Sequence, residues 1–116
     1  MFERIDTFCV RVKDIEKSSQ WYEESLGLQV IFKGKGYRIL RVGNGSVPLT
    51  IEEGETNPSS NQSYPILYSK EIEKTYKKLK EQNVRTSDIH HDEDNYYFDF
   101  FDPDHNKLQV CFFNES

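Results

Sequence analysis

The sequence predicts an α+β fold made of two copies of one βαβββ unit. The first observation is a repeat: Asp14-Ile15-Glu16-Lys17-Ser18 recurs as Glu71-Ile72-Glu73-Lys74-Thr75, an offset of 57 in a chain of 116 residues. An offset of about half the length marks a single supersecondary unit used twice. The second is periodicity, which in each half passes from a strand pattern to a helical one and back to strands.

The first copy occupies residues 1–53. Residues 4–12 alternate, with Phe8, Val10 and Val12 on one side and Thr7, Cys9 and Arg11 on the other. Successive strand side chains point to opposite faces, so this is a half-buried strand. Asp14 stands where a helix N-cap belongs, Ile15, Ser18, Ser19, Tyr22 and Leu26 follow at helical spacing, and Gly27 supplies the stop. Residues 28–32, 37–42 and 47–52 are three further strands, joined by tight turns at Gly34-Lys35-Gly36 and Gly43-Asn44-Gly45-Ser46.

Residues 54–62 are polar without any period and are predicted to link the copies or to flank a pocket. The second copy, 63–116, opens with a strand over 64–69 and a helix over 70–82 whose Ile72, Tyr76 and Leu79 face inward. Strands over 85–92, 95–101 and 107–113 complete it, and the first of these is polar enough that loop is the alternative. Between the last two, Asp102-Pro103-Asp104-His105-Asn106 has the chemistry of a hairpin turn, because Pro sets φ and His or Asn tolerates a left-handed residue.

Length suits one domain, able to bury roughly two thirds of its extended surface. Net charge is −5, with both signs interspersed. Binding to phosphate backbones needs a concentrated basic surface, so nucleic acid is not an expected partner. No apolar run has the length of a membrane span, and the start lacks the charged-then-apolar layout of a signal peptide, so a cytoplasmic location is expected. Cys9 and Cys111 lie in strand patterns without a CxxC and are expected as reduced, buried thiols. Neither has a His in a neighbouring strand pattern, and no Gly-x-Ser-x-Gly or phosphate-cradling loop occurs, so nothing points to nucleophilic catalysis. Glu52 or Asp99 could act as a general base, but neither has an acid partner identifiable from sequence.

The stretch Asp102-Pro103-Asp104-His105-Asn106, followed by Leu108-Gln109-Val110, resembles the last hairpin of the vicinal oxygen chelate superfamily, the glyoxalase, bleomycin-resistance and extradiol-dioxygenase group. That hairpin reads Asp-Pro-Asp-Gly-Asn, then apolar-Glu-apolar. Ile5-Asp6-Thr7-Phe8, Val12-Lys13-Asp14-Ile15-Glu16-Lys17-Ser18, Trp21-Tyr22 and Leu26-Gly27-Leu28 resemble its opening signature. With the repeat, the resemblance covers nearly the whole chain. It implies two small sheets forming a curved mixed sheet around a concave cavity, with helices on the convex side. It also implies a homodimer, since relatives commonly complete each concavity with a partner.

With that fold, parity divides the strands. Phe8, Val10, Val12, Leu49, Ile51, Leu67, Leu108, Val110 and Phe112 are expected to face the helices. Thr7, Cys9, Arg11, Thr50 and Glu52 from the first copy are expected to line the cavity. From the second come Tyr64, Ile66, Tyr68, Gln109, Cys111 and Phe113.

The resemblance puts the metal-ligand positions of the metal-dependent members on Thr7, Thr50, Tyr64 and Gln109, none of which is His, Asp or Glu. Neutral oxygens, and a phenol with a pKa near ~10, hold a divalent ion poorly. No metal and no cofactor is therefore expected, unless a slipped register brings Glu52 into the cavity. His90 and His91, adjacent on one strand, would point apart and are expected in solvent, and His105 is expected to take a positive φ in place of Gly. The resulting expectation is a metal-independent small-molecule binding protein with its ligand in an aromatic-lined cavity. Arg11, Glu52 or Gln109 would orient that ligand, as in the metal-free bleomycin-resistance branch. The alternatives are a lyase, isomerase or dioxygenase with an atypical metal site, and a structural or regulatory homodimer whose cavity is filled.

Overall fold

Strand β1, Phe8–Val12, begins the first of the two units into which the chain divides, Met1–Thr56 and Asn57–Ser116. The computed structural model describes residues 1–57 and 63–114, so part of the predicted linker, 58–62, lies outside the described residues. Each unit is a mixed sheet with one helix, and neither sheet closes into a barrel.

In the first unit β1 is followed by helix α1, Ile15–Leu26, and strands β2, Gln29–Gly34, β3, Tyr37–Arg41, and β4, Leu49–Glu53. The sheet order is β1-β4-β3-β2, with β1 parallel to β4 and the other pairs antiparallel. The first strand is shorter than the 4–12 expected, because its partner β4 reaches only from Leu49, opposite Phe8, to Glu53, opposite Val12. Asp14 caps α1 as its position predicts, its carboxylate accepting from the Lys17 N–H at 3.1 Å. The Glu53 carboxylate accepts a second orphan donor, the Ile15 N–H, at 2.9 Å. Gly27 ends the helix at φ 69°, a conformation open to glycine at little cost.

Val10, Val12, Leu40, Leu49 and Ile51 are buried against Ile15 and Tyr22 of α1. Arg38 lies on that same face and is also buried; it donates to the Gly34 and Tyr37 carbonyls and to the Glu16 carboxylate. Such pairing is what makes a buried guanidinium tolerable. A register shift between Val30 and Phe32 interrupts the β2–β3 ladder, and Ile31 and Phe32 are exposed there.

The second unit repeats the plan with strand β5, Ile66–Tyr68, helix α2, Ile72–Glu81, and strands β6, Arg85–Thr86, β7, His90–Asp92, β8, Asn95–Phe101, and β9, Lys107–Phe113. The sheet order is β5-β9-β8-β6, with β7 also paired to β8, and the first strand is again parallel to the last. Helix α2 starts two residues later than predicted, and its N-cap Glu71 makes no side-chain cap bond. The single strand expected over 85–92 is instead two short ones. Ser87 breaks it: its hydroxyl takes the Asp99 N–H at 2.9 Å, replacing a ladder carbonyl, while its own N–H reaches the Asp99 carbonyl. Ile72, Leu79 and Val84 pack over Phe98, Phe100, Leu108 and Val110, and Tyr76 meets Phe98 edge to face.

The β8–β9 turn explains its own sequence. The buried Asp102 carboxylate accepts from the N–H groups of Asp104 and Asn106 and from Asn106 Nδ2, each at 2.9 Å. His105 takes φ 68°, as expected for the residue standing where Gly is usual.

Candidate functional site

In each unit the helix covers one face of the sheet, and the predicted site residues fall on the other. In the first unit Thr7 lies just before β1, and its hydroxyl is 2.7 Å from that of Thr50. Thr7 donates its only hydroxyl proton to the Pro48 carbonyl at 2.9 Å, so Thr50 must donate to Thr7. Both protons are used within the chain. Cys9 stands opposite Thr50 and Arg11 opposite Glu52. The Arg11 guanidinium donates to the Glu52 carboxylate at 2.9 Å, with both side chains about half exposed, a pair worth on the order of 0–1 kcal/mol.

This face also carries residues that the sequence reading left out. Tyr37 pairs with Glu52, Ile39 with Thr50, and the Tyr37 ring stacks on Phe32. The alternation of β3 would have placed Tyr37 and Ile39 opposite the buried Arg38 and Leu40.

In the second unit β5 begins at Ile66, so Tyr64 precedes the strand instead of belonging to it. No hydrogen bond joins Tyr64 to Gln109 among the described residues. Gln109 donates to Asp99 at 3.0 Å, the Lys107 ammonium lies 3.6 Å from the other oxygen of that carboxylate, and the same ammonium sits 4.0 Å over the Tyr64 ring. The two ligand-position residues Tyr64 and Gln109 are thus connected through Lys107 and Asp99. Tyr68 stands opposite Cys111, meets the Phe113 ring edge to face, and its hydroxyl donates to the Phe113 carbonyl at 3.0 Å. Arg85 lies over the Phe101 ring at 4.1 Å.

The thiols differ from expectation in burial: Cys9 is exposed and Cys111 half-buried, both free. Partial loss of solvent raises the Cys9 pKa above its ordinary value, with the Glu52 charge adding to the rise and Arg11 opposing it. Loss of solvent raises Cys111 as well. A thiol held protonated is a poor nucleophile.

Among the described residues no three His, Cys, Asp or Glu side chains are placed to hold a metal ion. His90 and His91 point to opposite faces, one against Tyr97 and the other stacked at 4.2 Å on Tyr96. Thr7, Thr50, Tyr64 and Gln109 offer only hydroxyl, phenol and amide oxygens, with no carboxylate or imidazole among them, so these residues do not fit the metal centre of the metal-dependent relatives. A separate groove of about 440 Å³ lies on the helix side of the second unit, lined by Lys70, Ile72, Lys74, Tyr96 and Phe112 among others. No helix among the described residues is long and apolar enough to cross a membrane.

The comparisons agree with this plan. No curated protein sequence matches the chain. An integron cassette protein from the Halifax Harbour sewage outfall metagenome superposes with TM-score 0.81 at 24% identity, covering 95% of this chain and 98% of that one. TnmS3, an antibiotic binding protein from Streptomyces sp. CB03234, gives 0.82 at 18%, covering 97% and 98%. The fosfomycin resistance protein FosX of Listeria monocytogenes, in a complex with Mn(II) and sulfate, gives 0.82 at 13%, covering 99% and 94%. At these identities the superpositions establish the fold. The sequence itself matches the model of the Glyoxalase/Bleomycin resistance protein/Dioxygenase superfamily over residues 4–110, so the chain belongs to that superfamily.

Proposed function

We propose that the chain binds a small molecule without a metal, on open, aromatic-bearing sheet faces to which Thr7, Cys9, Arg11, Thr50 and Glu52 contribute in the first unit and Tyr64, Tyr68, Gln109, Cys111 and Phe113 in the second. The observation that carries this reading is the donor set. Where metal-dependent relatives have ionisable ligands, this chain has two threonines whose hydroxyl protons are both used, Thr50 donating to Thr7 and Thr7 to the Pro48 carbonyl, a tyrosine under an ammonium, and an amide tied to Asp99. Divalent ions need deprotonated or imidazole donors, and these residues supply none. Open aromatic and aliphatic surface, by contrast, is what small-molecule sites use for affinity. The likeness to TnmS3, an antibiotic binding protein, points the same way, whereas FosX with its Mn(II) represents the other branch of the fold.

We also assign a homodimer, supported by apolar side chains exposed in the two units: Phe32 at 51%, Ile66 at 54% and Phe113 at 39%. Static light scattering that gives a monomer mass at micromolar concentration removes this part.

The test of binding uses protein dialysed against EDTA. Elemental mass spectrometry after incubation with nickel, zinc, iron(II) and manganese is expected to give well under one ion per chain. A screen of planar amphipathic compounds by thermal shift is expected to give hits that survive EDTA. Ligand at 100 times its Kd adds about 2.7 kcal/mol. Retention of one metal per chain, with ligand shifts that vanish in EDTA, overturns the proposal.

A further inference from the structure

We propose that Arg85, stacked on Phe101, is the anion anchor of the second unit's open sheet face, which therefore selects a planar ligand bearing a carboxylate. This rests on the small-molecule reading above and names its ligand class.

Register makes the arrangement. Arg85 of β6 stands opposite Phe101 of β8, and Phe101 stands opposite Lys107 of β9. Directly paired residues share a side, so all three project from the face that the helix does not cover. The Arg85 guanidinium lies 4.1 Å over the Phe101 ring, and the Lys107 ammonium lies 4.0 Å over the Tyr64 ring. Two cations, each backed by an aromatic ring, thus flank Phe101 at one end of the sheet.

What distinguishes the two cations is their partners. Lys107 is already close to the Asp99 carboxylate, which also accepts from Gln109. Among the described residues Arg85, like Arg41 of the first unit, has no carboxylate partner, whereas Arg4, Arg11 and Arg38 each have one. Asp99 is the acid nearest along β8, and its two oxygens are taken by Gln109 and Lys107. In a chain with net charge −5, this edge carries two cations against one anion.

A stacked guanidinium presents its donors in the plane of the fork, away from the ring that covers its face. Stacking also restrains a long side chain before any ligand arrives, so less freedom is lost on binding. A carboxylate fits that fork with two parallel hydrogen bonds, which an ammonium cannot offer. The uncharged part of the ligand then lies along the face toward Ile66, which is 54% exposed and pairs with Gln109. The second cation strengthens the local field without needing direct contact.

The experiment is isothermal titration calorimetry of the EDTA-treated protein with 2-naphthoate and with its neutral isostere 2-naphthamide, in 50 mM and 300 mM NaCl. The acid is expected to bind about tenfold more tightly than the amide at low salt, with the gap narrowing at high salt. Arg85→Met keeps an apolar side chain on Phe101 and is expected to remove the preference, lowering acid affinity far more than amide affinity. Arg85→Lys is expected to restore only part of it, since charge returns without the fork. Arg4→Met removes the same charge far along the chain from the site and is expected to leave the ratio intact.

Equal binding of acid and amide to the wild-type protein overturns the anchor and leaves the binding reading standing. An equal loss in Arg4→Met and Arg85→Met reduces the effect to net charge and overturns it too. Failure of both probes to bind at millimolar concentration removes the anchor, and the wider screen then decides the binding reading separately.

Discussion

Replacing Asp102 by Ala removes the acceptor on which the β8–β9 turn closes. Its carboxylate takes three donors at 2.9 Å, and two of them belong to Asn106, which is only 5% exposed. Water can reach the Asp104 N–H in the half-buried turn, but it cannot readily replace the bonds to Asn106. Hydrogen bonds to a charged acceptor contribute about 1.5–3 kcal/mol each, so losing the two to Asn106 costs roughly 3 kcal/mol or more. For 116 residues the unfolding entropy is about 0.24 kcal/mol per kelvin, so the melting temperature falls by about 12 °C. Differential scanning calorimetry reads this directly, and the Asp102→Ala, Asn106→Ala cycle is expected to give a coupling of about 1–2 kcal/mol. Because this hairpin carries Asp99, Phe101, Lys107 and Gln109, ligand affinity is expected to weaken together with stability. A shift below about 3 °C, or a coupling near zero, refutes the account of the motif.

Gln109→Glu replaces the amide that donates to Asp99 at 3.0 Å by a second acid. Two carboxylates that close bind one proton between them in the folded state and release it on unfolding, so stability falls as pH rises. The variant is expected to melt roughly 4–8 °C below the parent at pH 7 and close to it at pH 4; a difference independent of pH sinks the idea. His105→Gly relieves a side chain held at φ 68° and is expected to raise the melting temperature by about 2–4 °C, whereas a drop means that the imidazole makes a stabilising contact. Cys9 and Cys111 both hold their protons more tightly than free thiols, so the folded state loses stability relative to the unfolded chain as pH rises past the ordinary thiol value. The rate of iodoacetamide labelling of native protein, which follows the thiolate fraction, is expected to keep rising past that value before it levels off, and an inflection below pH 8 contradicts the desolvation argument.

The elements most legible in the sequence were those whose signals lie within a few residues of themselves. Asp14 and Gly27 bound α1 as expected, and β8 and β9 occupy 95–101 and 107–113 as predicted. Parity divided the strands in part: Val10, Val12, Leu108 and Val110 are buried while Arg11, Gln109 and Phe113 keep solvent contact, but Thr50 is buried as well and Phe8, Leu67 and Phe112 are only half-buried. The β1 boundary was missed because strand length depends on a partner 41 residues away. The break at Ser87 was missed because only proximity to Asp99 gives that hydroxyl a ladder donor to accept.

By itself the sequence determined the doubled βαβββ order and the superfamily, because caps, turns, repeats and alternation are properties of local chain. The tertiary structure alone decided who meets whom. Nothing in the residues around Arg85 points to Phe101, and nothing around Gln109 points to Asp99 and Lys107. Those contacts follow from strand register, which distant parts of the chain set together, and one residue of slip would turn each side chain to the opposite face.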